Sequence, residues 1–289
     1  MQFSVRRLLA LLLTLCLFTP AALGEIVTLP MDFSAGMPLQ ERYEQGKMEY
    51  QDPSIHVIRE RVESEEYYCT YYVAYITIAN ASQLRTESAY GFNSSMRVEA
   101  SVMAKRTNAA LAINGDYYSN RKGYVLRQGT VYRDFVEKNR DLLLIDEDGD
   151  FHLILSDEDP IHMDKTVIDG KKVVNAFEFG PALIKDGEIC YTKENCPDNV
   201  KPHERARRSA ICQLGPLEYM VVACSQYGLD MENFVKLIDS LGDVQQAYNL
   251  DGGNSVQMIF MGRKVNNTSD TNVRPVPDII YFASAYRPD

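Results

Sequence analysis

The sequence predicts an α+β fold, a single domain with a mixed β-sheet, several hairpins and a few helices. Three observations lead there. Short apolar runs recur between Gly, Asn and Asp turn signals, as strands do. Only two stretches carry apolar residues at helical spacing. No internal repeat, low-complexity tract or linker divides the chain. Two halves facing each other across a cleft are the alternative arrangement.

Each element follows in order. Residues 1–24 read as a secretory leader: Arg6 and Arg7 precede an apolar run over 8–18, Pro20 breaks it, and Ala22-Leu23-Gly24 supplies small residues before Glu25. The run is too short to span a bilayer, which takes about 20 residues. A lipid anchor at Cys16 is the weaker reading, because Leu15 before it is large. The expectation is a secreted, extracytoplasmic protein cut near Gly24-Glu25, with no membrane span in the mature chain. Residues 25–50 contain Pro30, Gly36, Pro38 and Gly46 and read as an irregular leading segment. The domain proper is placed at 51–289.

Strands are predicted over 55–62, which alternates apolar and polar residues, and over 71–79. A helix is expected over 94–108, with Met96, Ala100 and Met103 on one face. The run at 109–113 then stops at Asn114-Gly115-Asp116. Hairpins are predicted over 124–133, turning at Gln128-Gly129; over 141–155, turning at Asp148-Gly149; and over 209–224, turning near Gly215-Pro216. A helix over 230–241 has Asp230 as its cap and Phe234, Leu237, Ile238 and Leu241 as its apolar stripe. Asn249-Leu250-Asp251-Gly252-Gly253-Asn254-Ser255 separates it from strands at 256–261 and 279–283.

Composition excludes several functions. The chain has 289 residues with 30 Lys and Arg against 40 Asp and Glu, a formal charge of -10. Without the leader it is -12, since Arg6 and Arg7 go and no acid goes with them. An acidic chain with no basic stripe argues against nucleic-acid binding. The 18 Tyr suit a polyhydroxy ligand, and equally suit ordinary strands. Five cysteines remain beyond Cys16, an odd number. A disulfide between Cys190 and Cys196 would close the polar loop CYTKENC, and the sequence leaves that open. Cys212 and Cys224 sit in apolar runs and need no function. There is no nucleophile elbow, phosphate-binding loop or His pattern suited to zinc. Asp146-Glu147-Asp148-Gly149-Asp150 looks like a calcium loop, but apolar strands flank it and a hairpin turn explains it. No cofactor or metal is expected, and the oligomeric state is left open.

Two turns remain, Asn114-Gly115-Asp116 and Asn249 to Ser255. Each follows an apolar strand and sets Asn and Asp beside Gly, which lets a ligand approach the main chain. Turn chemistry alone is the competing explanation.

Together with other motifs, these turns make the chain resemble the phosphodiester glycosidase family over about 55–283. The resemblance rests on LAINGDYY at 111–118, GYVLRQGTVYR at 123–133, FEFGPALIKDG at 177–187, RRSAICQLG at 207–215, YNLDGGNS at 248–255 and RPVPDIIYF at 274–282. Asn254 stands where a third Gly is common, Ser209 where Thr is common and Cys212 where Gly is frequent. The resemblance implies a surface cavity lined by these motifs. It also implies hydrolysis of the bond between a sugar C1 and a phosphodiester oxygen, as in an N-acetylglucosamine-1-phosphodiester. It places Arg127, Arg208 and Arg274 on the phosphodiester, since a guanidinium donates two hydrogen bonds at once. Asp251 and Asp116 are the candidate catalytic carboxylates, with Asp251 first. Asn114, Asn249, Asn254 and Ser255 would orient them or the substrate, with Gly115, Gly252 and Gly253 giving close approach, and Asp278 lending support. The expected partner is a carbohydrate phosphodiester from a bacterial cell envelope or exopolysaccharide. The alternatives are a non-catalytic module binding cell-envelope glycans or teichoic-acid-like polymers, and a metal-dependent phosphodiesterase.

Overall fold

The computed structural model describes residues 24–120, 122–193, 196–197, 200–225, 227–266 and 273–289. The predicted leader, Gly24 excepted, lies outside them. β-Structure dominates. The largest sheet runs, edge to edge, Glu188–Ile189, Ala182–Lys185, Gln246–Leu250, Ser209–Gly215, Glu218–Cys224, Cys69–Ile78, Ile55–Ser64 and Glu49–Asp52. A five-stranded sheet runs Arg263–Lys264, Met258–Phe260, Ala109–Asn114, Asp278–Ala283 and Leu84–Ser88. A third sheet carries the hairpins Val125–Arg127/Thr130–Arg133 and Leu142–Asp146/Phe151–Ile154, bridged by Lys171–Phe177. Gly24–Ile26 pairs with Tyr286–Pro288 in a separate ribbon.

Two expectations are corrected. The sheets are not mixed: every strand pairing among the described residues is antiparallel. Parallel neighbours need long crossovers, usually helical, and this chain connects many strands by tight hairpins. The helical content is also smaller than expected, with α-helices at Ala100–Arg106 and Met231–Ser240. The predicted helix over 94–108 loses its first turn because Val98 forms a β-bridge to Val276, leaving Met96 exposed. The second helix stands as read: Asp230 caps it by accepting from the Asn233 N–H at 2.9 Å. The three predicted hairpins form, with connections at 128–129, 147–150 and 216–217.

The main core lies between the eight-stranded and the five-stranded sheets. Strand Asp278–Ala283 shows why the sequence folds so. Ile280 and Phe282 point into the main core beside Val221 and Ile76, while Ile279, Tyr281 and Ala283 face Ala100, Met103 and Ala104 of the first helix. Period-two alternation thus serves two apolar layers, and the strand reads as continuously apolar. Each such buried side chain contributes roughly 1.5–3 kcal/mol. The consequence for function is positional. Ala109–Asn114 and Gln246–Leu250 belong to different sheets, yet the turns that follow them meet.

The Cys190–Cys196 disulfide that the sequence left open is not formed. All five cysteines among the described residues are thiols. Among the described residues no helix is long and apolar enough to cross a membrane.

Candidate active site

Asp251 follows directly on strand Gln246–Leu250. Its N–H donates to the Gly115 carbonyl at 3.3 Å. Its own carbonyl accepts from the Asn114 amide at 2.8 Å and the Ser209 hydroxyl at 3.0 Å. The Asn114 side-chain oxygen takes the Gln257 N–H at 3.2 Å. Asn114 therefore welds the two turns together and is wholly buried in doing so.

Glycine is required at two places here. A Cβ on Gly115 would lie 2.4 Å from the Asp278 carboxylate, and one on Gly252 would lie 2.7 Å from the Arg207 carbonyl oxygen. Both contacts are closer than a methyl group tolerates, so a side chain at either position would push the turns apart.

These turns open onto a cavity of about 750 Å³. Asp251, Asn249, Gly252 and Gly253 line it, with Arg207, Arg274, Lys122 and Tyr117. Among the described residues six cationic side chains and two carboxylates line the wall, in a chain whose net charge is -10. A low-dielectric wall of that sign favours an anionic ligand. The Asn249 amide donates to the Gly180 carbonyl at 2.8 Å, while its side-chain oxygen has no hydrogen-bond partner among the described residues. A buried acceptor left open is costly unless a ligand or water fills it. Arg274 donates to the Ser255 hydroxyl at 3.4 Å and stacks over the Tyr117 ring at 5.8 Å. Arg207 reaches the Asn254 side-chain oxygen at 3.3 Å. Asn254 and Ser255 thus hold the arginines rather than line the cavity.

Asp116 and Arg127 do not line this cavity. Both are buried, and they pair at 3.1 Å. Arg127 also meets Asp278 at 3.5 Å and lies over the Phe177 ring at 4.0 Å. Asp116 further accepts from the N–H groups of Tyr118 at 3.2 Å and Glu178 at 3.3 Å. One guanidinium between two buried carboxylates leaves a surplus negative charge. Burial, followed by the neighbouring Asp116, pushes the Asp278 carboxyl up to about 8, against the pull of Arg127. Its Oδ1 has no hydrogen-bond partner among the described residues.

Arg208 also lines the cavity, with its guanidinium engaged by backbone carbonyls. Its guanidinium donates to the carbonyls of Leu229 at 3.1 Å, Val200 at 2.7 Å, and Lys201 and Glu204 at 2.9 Å each. Those bonds commit it to fastening the 200–204 loop beside the cavity. Arg207, Lys122 and Tyr117 were missed as site residues by sequence reasoning. The signal for Arg207 was its place beside Arg208 in the motif RRSAICQLG. Among the described residues no group of three or more His, Cys, Asp or Glu side chains is placed to hold a metal ion.

A family model described as phosphodiester glycosidase matches residues 107–283. The chain belongs to the phosphodiester glycosidase family. That match includes both turns, all three buried members of the Asp116–Arg127–Asp278 cluster, and Arg274. Among curated relatives of this chain is the SPbeta prophage-derived uncharacterized protein YomE of Bacillus subtilis (strain 168), 25% identical over 237 residues. The match covers 74% of this chain and 36% of YomE, so the chain spans about a third of that relative's length. Among solved structures, the zebrafish N-acetylglucosamine-1-phosphodiester alpha-N-acetylglucosaminidase catalytic domain, auto-inhibited by its pro-peptide, superposes with a TM-score of 0.61. It is 15% identical, with 85% of this chain and 86% of that one covered. A hypothetical protein from Synechocystis superposes with a TM-score of 0.52 at 17% identity, covering 79% of this chain and 62% of that one. At these identities the superpositions establish a shared fold.

Proposed function

We propose that this protein hydrolyses the C1–O bond of a sugar-1-phosphodiester, of the N-acetylglucosamine-1-phosphodiester kind, releasing the sugar and a phosphomonoester. The observation that carries the reading is Asp251: a carboxylate with a clamped backbone, opening into a cationic cavity. Arg207 and Arg274 hold the phosphodiester oxygens. Asp251 attacks C1 or removes the proton from a water that does so. The C1–O bond breaks, and its electron pair goes to the phosphate oxygen. The departing phosphomonoester has a second pKa of about 6, so departure needs little help from an acid. Asn249, with its open acceptor, takes a sugar hydroxyl. Asp116 acts through Arg127 and the backbone as a positioning residue rather than as a second reacting carboxylate.

Hydrolysis in ¹⁸O-labelled water tests this. Label in the released sugar supports C–O cleavage; label in the phosphate would mean P–O cleavage and overturn the reading. The leader motif supports action outside the cytoplasm on envelope or exopolysaccharide phosphodiesters. Secreted protein from its native host is expected to have the intact mass of a chain starting at or near Glu25, and a full-length cytoplasmic product would overturn that part.

A further inference from the structure

We infer that a second hollow, linked to the first through Tyr117 and Tyr118, is a subsite for a neutral sugar ring of the same glycan substrate. This rests on the glycan reading above. The hollow has a volume of about 550 Å³, and its wall includes Phe33, Tyr90, Phe92, Tyr132, Glu87 and Asn93. Tyr117 lines the first cavity, while its neighbour Tyr118 packs on Phe92 of the second with ring centroids 5.4 Å apart. Adjacent residues Tyr117 and Tyr118 thus connect the two hollows.

The chemistry of this second wall is the reverse of the first. Among the described residues no cation lines it, and its one charged group is Glu87. No cation on that wall holds a phosphodiester there. A pyranose fits, because it offers an apolar C–H face to aromatic rings and hydroxyl donors at its edge. Phe33, Phe92 and Tyr132 form a ring cluster with centroid separations of 5.5 and 5.2 Å, and Phe33 and Tyr90 are 39% and 57% exposed. Exposed rings grouped around a hollow mark a binding surface more often than scattered ones do.

The hollow is also rigid before any ligand arrives. The Ser88 hydroxyl accepts from the Gly91 N–H at 2.6 Å, and the Gly91 carbonyl accepts from the Ser94 N–H at 3.0 Å and the Tyr118 hydroxyl at 3.3 Å. Glu87 is fixed as an acceptor by Arg106 at 2.6 Å and the Ser88 N–H at 3.0 Å. Tyr90 thus projects from a loop already held in place, so little ordering cost falls on binding.

The test is binding of chitobiose, maltose and lactose, followed by titration calorimetry and saturation-transfer NMR, without reference to turnover. Wild type is expected to bind at least one of these neutral disaccharides at millimolar strength. Tyr90→Ala and Phe33→Ala, both at exposed positions, should weaken that binding about fivefold or more, with thermal unfolding unchanged. Asp251→Asn should leave it intact. No saturable binding up to roughly 20 mM, or binding insensitive to Tyr90→Ala and Phe33→Ala, overturns the inference. Hydrolysis in labelled water is read separately, so failure of the subsite and failure of the proposed activity are distinguishable.

Discussion

The Asp251 N–H donates to the Gly115 carbonyl at 3.3 Å, and the Asn114 side chain returns a bond to the Asp251 carbonyl at 2.8 Å. Two turns from two different sheets are thereby fixed to each other through main-chain atoms. The carboxylates they carry have separate surroundings: Asp251 lines the cavity, and Asp116 is sealed against Arg127.

Asp251→Asn separates catalysis from binding. The substitution keeps the size of the side chain and leaves the backbone clamp untouched, so the fold should persist. Turnover of a sugar-1-phosphodiester is expected to fall by about 10³-fold or more, while affinity for a non-hydrolysable analogue is kept. Retained turnover in steady-state assays would remove Asp251 from the reaction.

Arg274→Lys and Arg208→Lys should fail in different ways. At Arg274 the loss of the planar fork is expected to cost turnover the equivalent of about 1.5–3 kcal/mol, with stability preserved. At Arg208 four carbonyls lose their donor, so urea unfolding should show the larger drop. Kinetics and denaturation on both variants check the assignment, and the opposite pattern would reverse the roles.

Gly115→Ala should destabilise the protein by about 1–3 kcal/mol. The added methyl would meet the Asp278 carboxylate at 2.4 Å, and that residue sits on a paired strand with no room to retreat. Urea midpoints measure the loss. A Gly115→Ala protein as stable as wild type would mean that the two turns can separate without cost.

Asp278 makes stability depend on pH in an unusual direction for a carboxylate. Its folded value is raised to about 8, whereas the unfolded chain titrates near 3.8. Between those values the folded state holds a proton that the unfolded state has released. The stabilisation tied to that proton is complete below the unfolded value and is lost as pH rises through the window. The slope reaches at most about 1.4 kcal/mol per pH unit. Asp278→Asn mimics the neutral form and should flatten the decline between about pH 5 and 8. Unfolding midpoints across that range for both proteins provide the check; parallel curves would show that Asp278 does not hold the proton.

Much of this was legible in the sequence, for identifiable reasons. The hairpins over 124–133, 141–155 and 209–224 announce themselves through turn residues that only a few backbone shapes accept. The capped helix at Met231–Ser240 does so through Asp230 and its apolar stripe. The turns at 114–116 and 249–255 stand out through Gly beside Asn and Asp. These are local signals, and a local signal survives in one dimension.

Other features required tertiary structure. Val98 leaves its helix because Val276, distant in sequence, offers a β-bridge. Arg207 and Arg208 are adjacent, chemically alike and both line the cavity, but the loop carbonyls at 200, 201 and 204 engage Arg208, while Arg207 reaches Asn254. Asp116 and Asp251 follow similar strands, but Arg127 arrives from a third sheet and claims Asp116. The sequence by itself determined which side chains were available and which turns would present them. Only the tertiary structure decided which of those charges are sealed in the interior and which line the cavity, because burial and pairing depend on residues far along the chain.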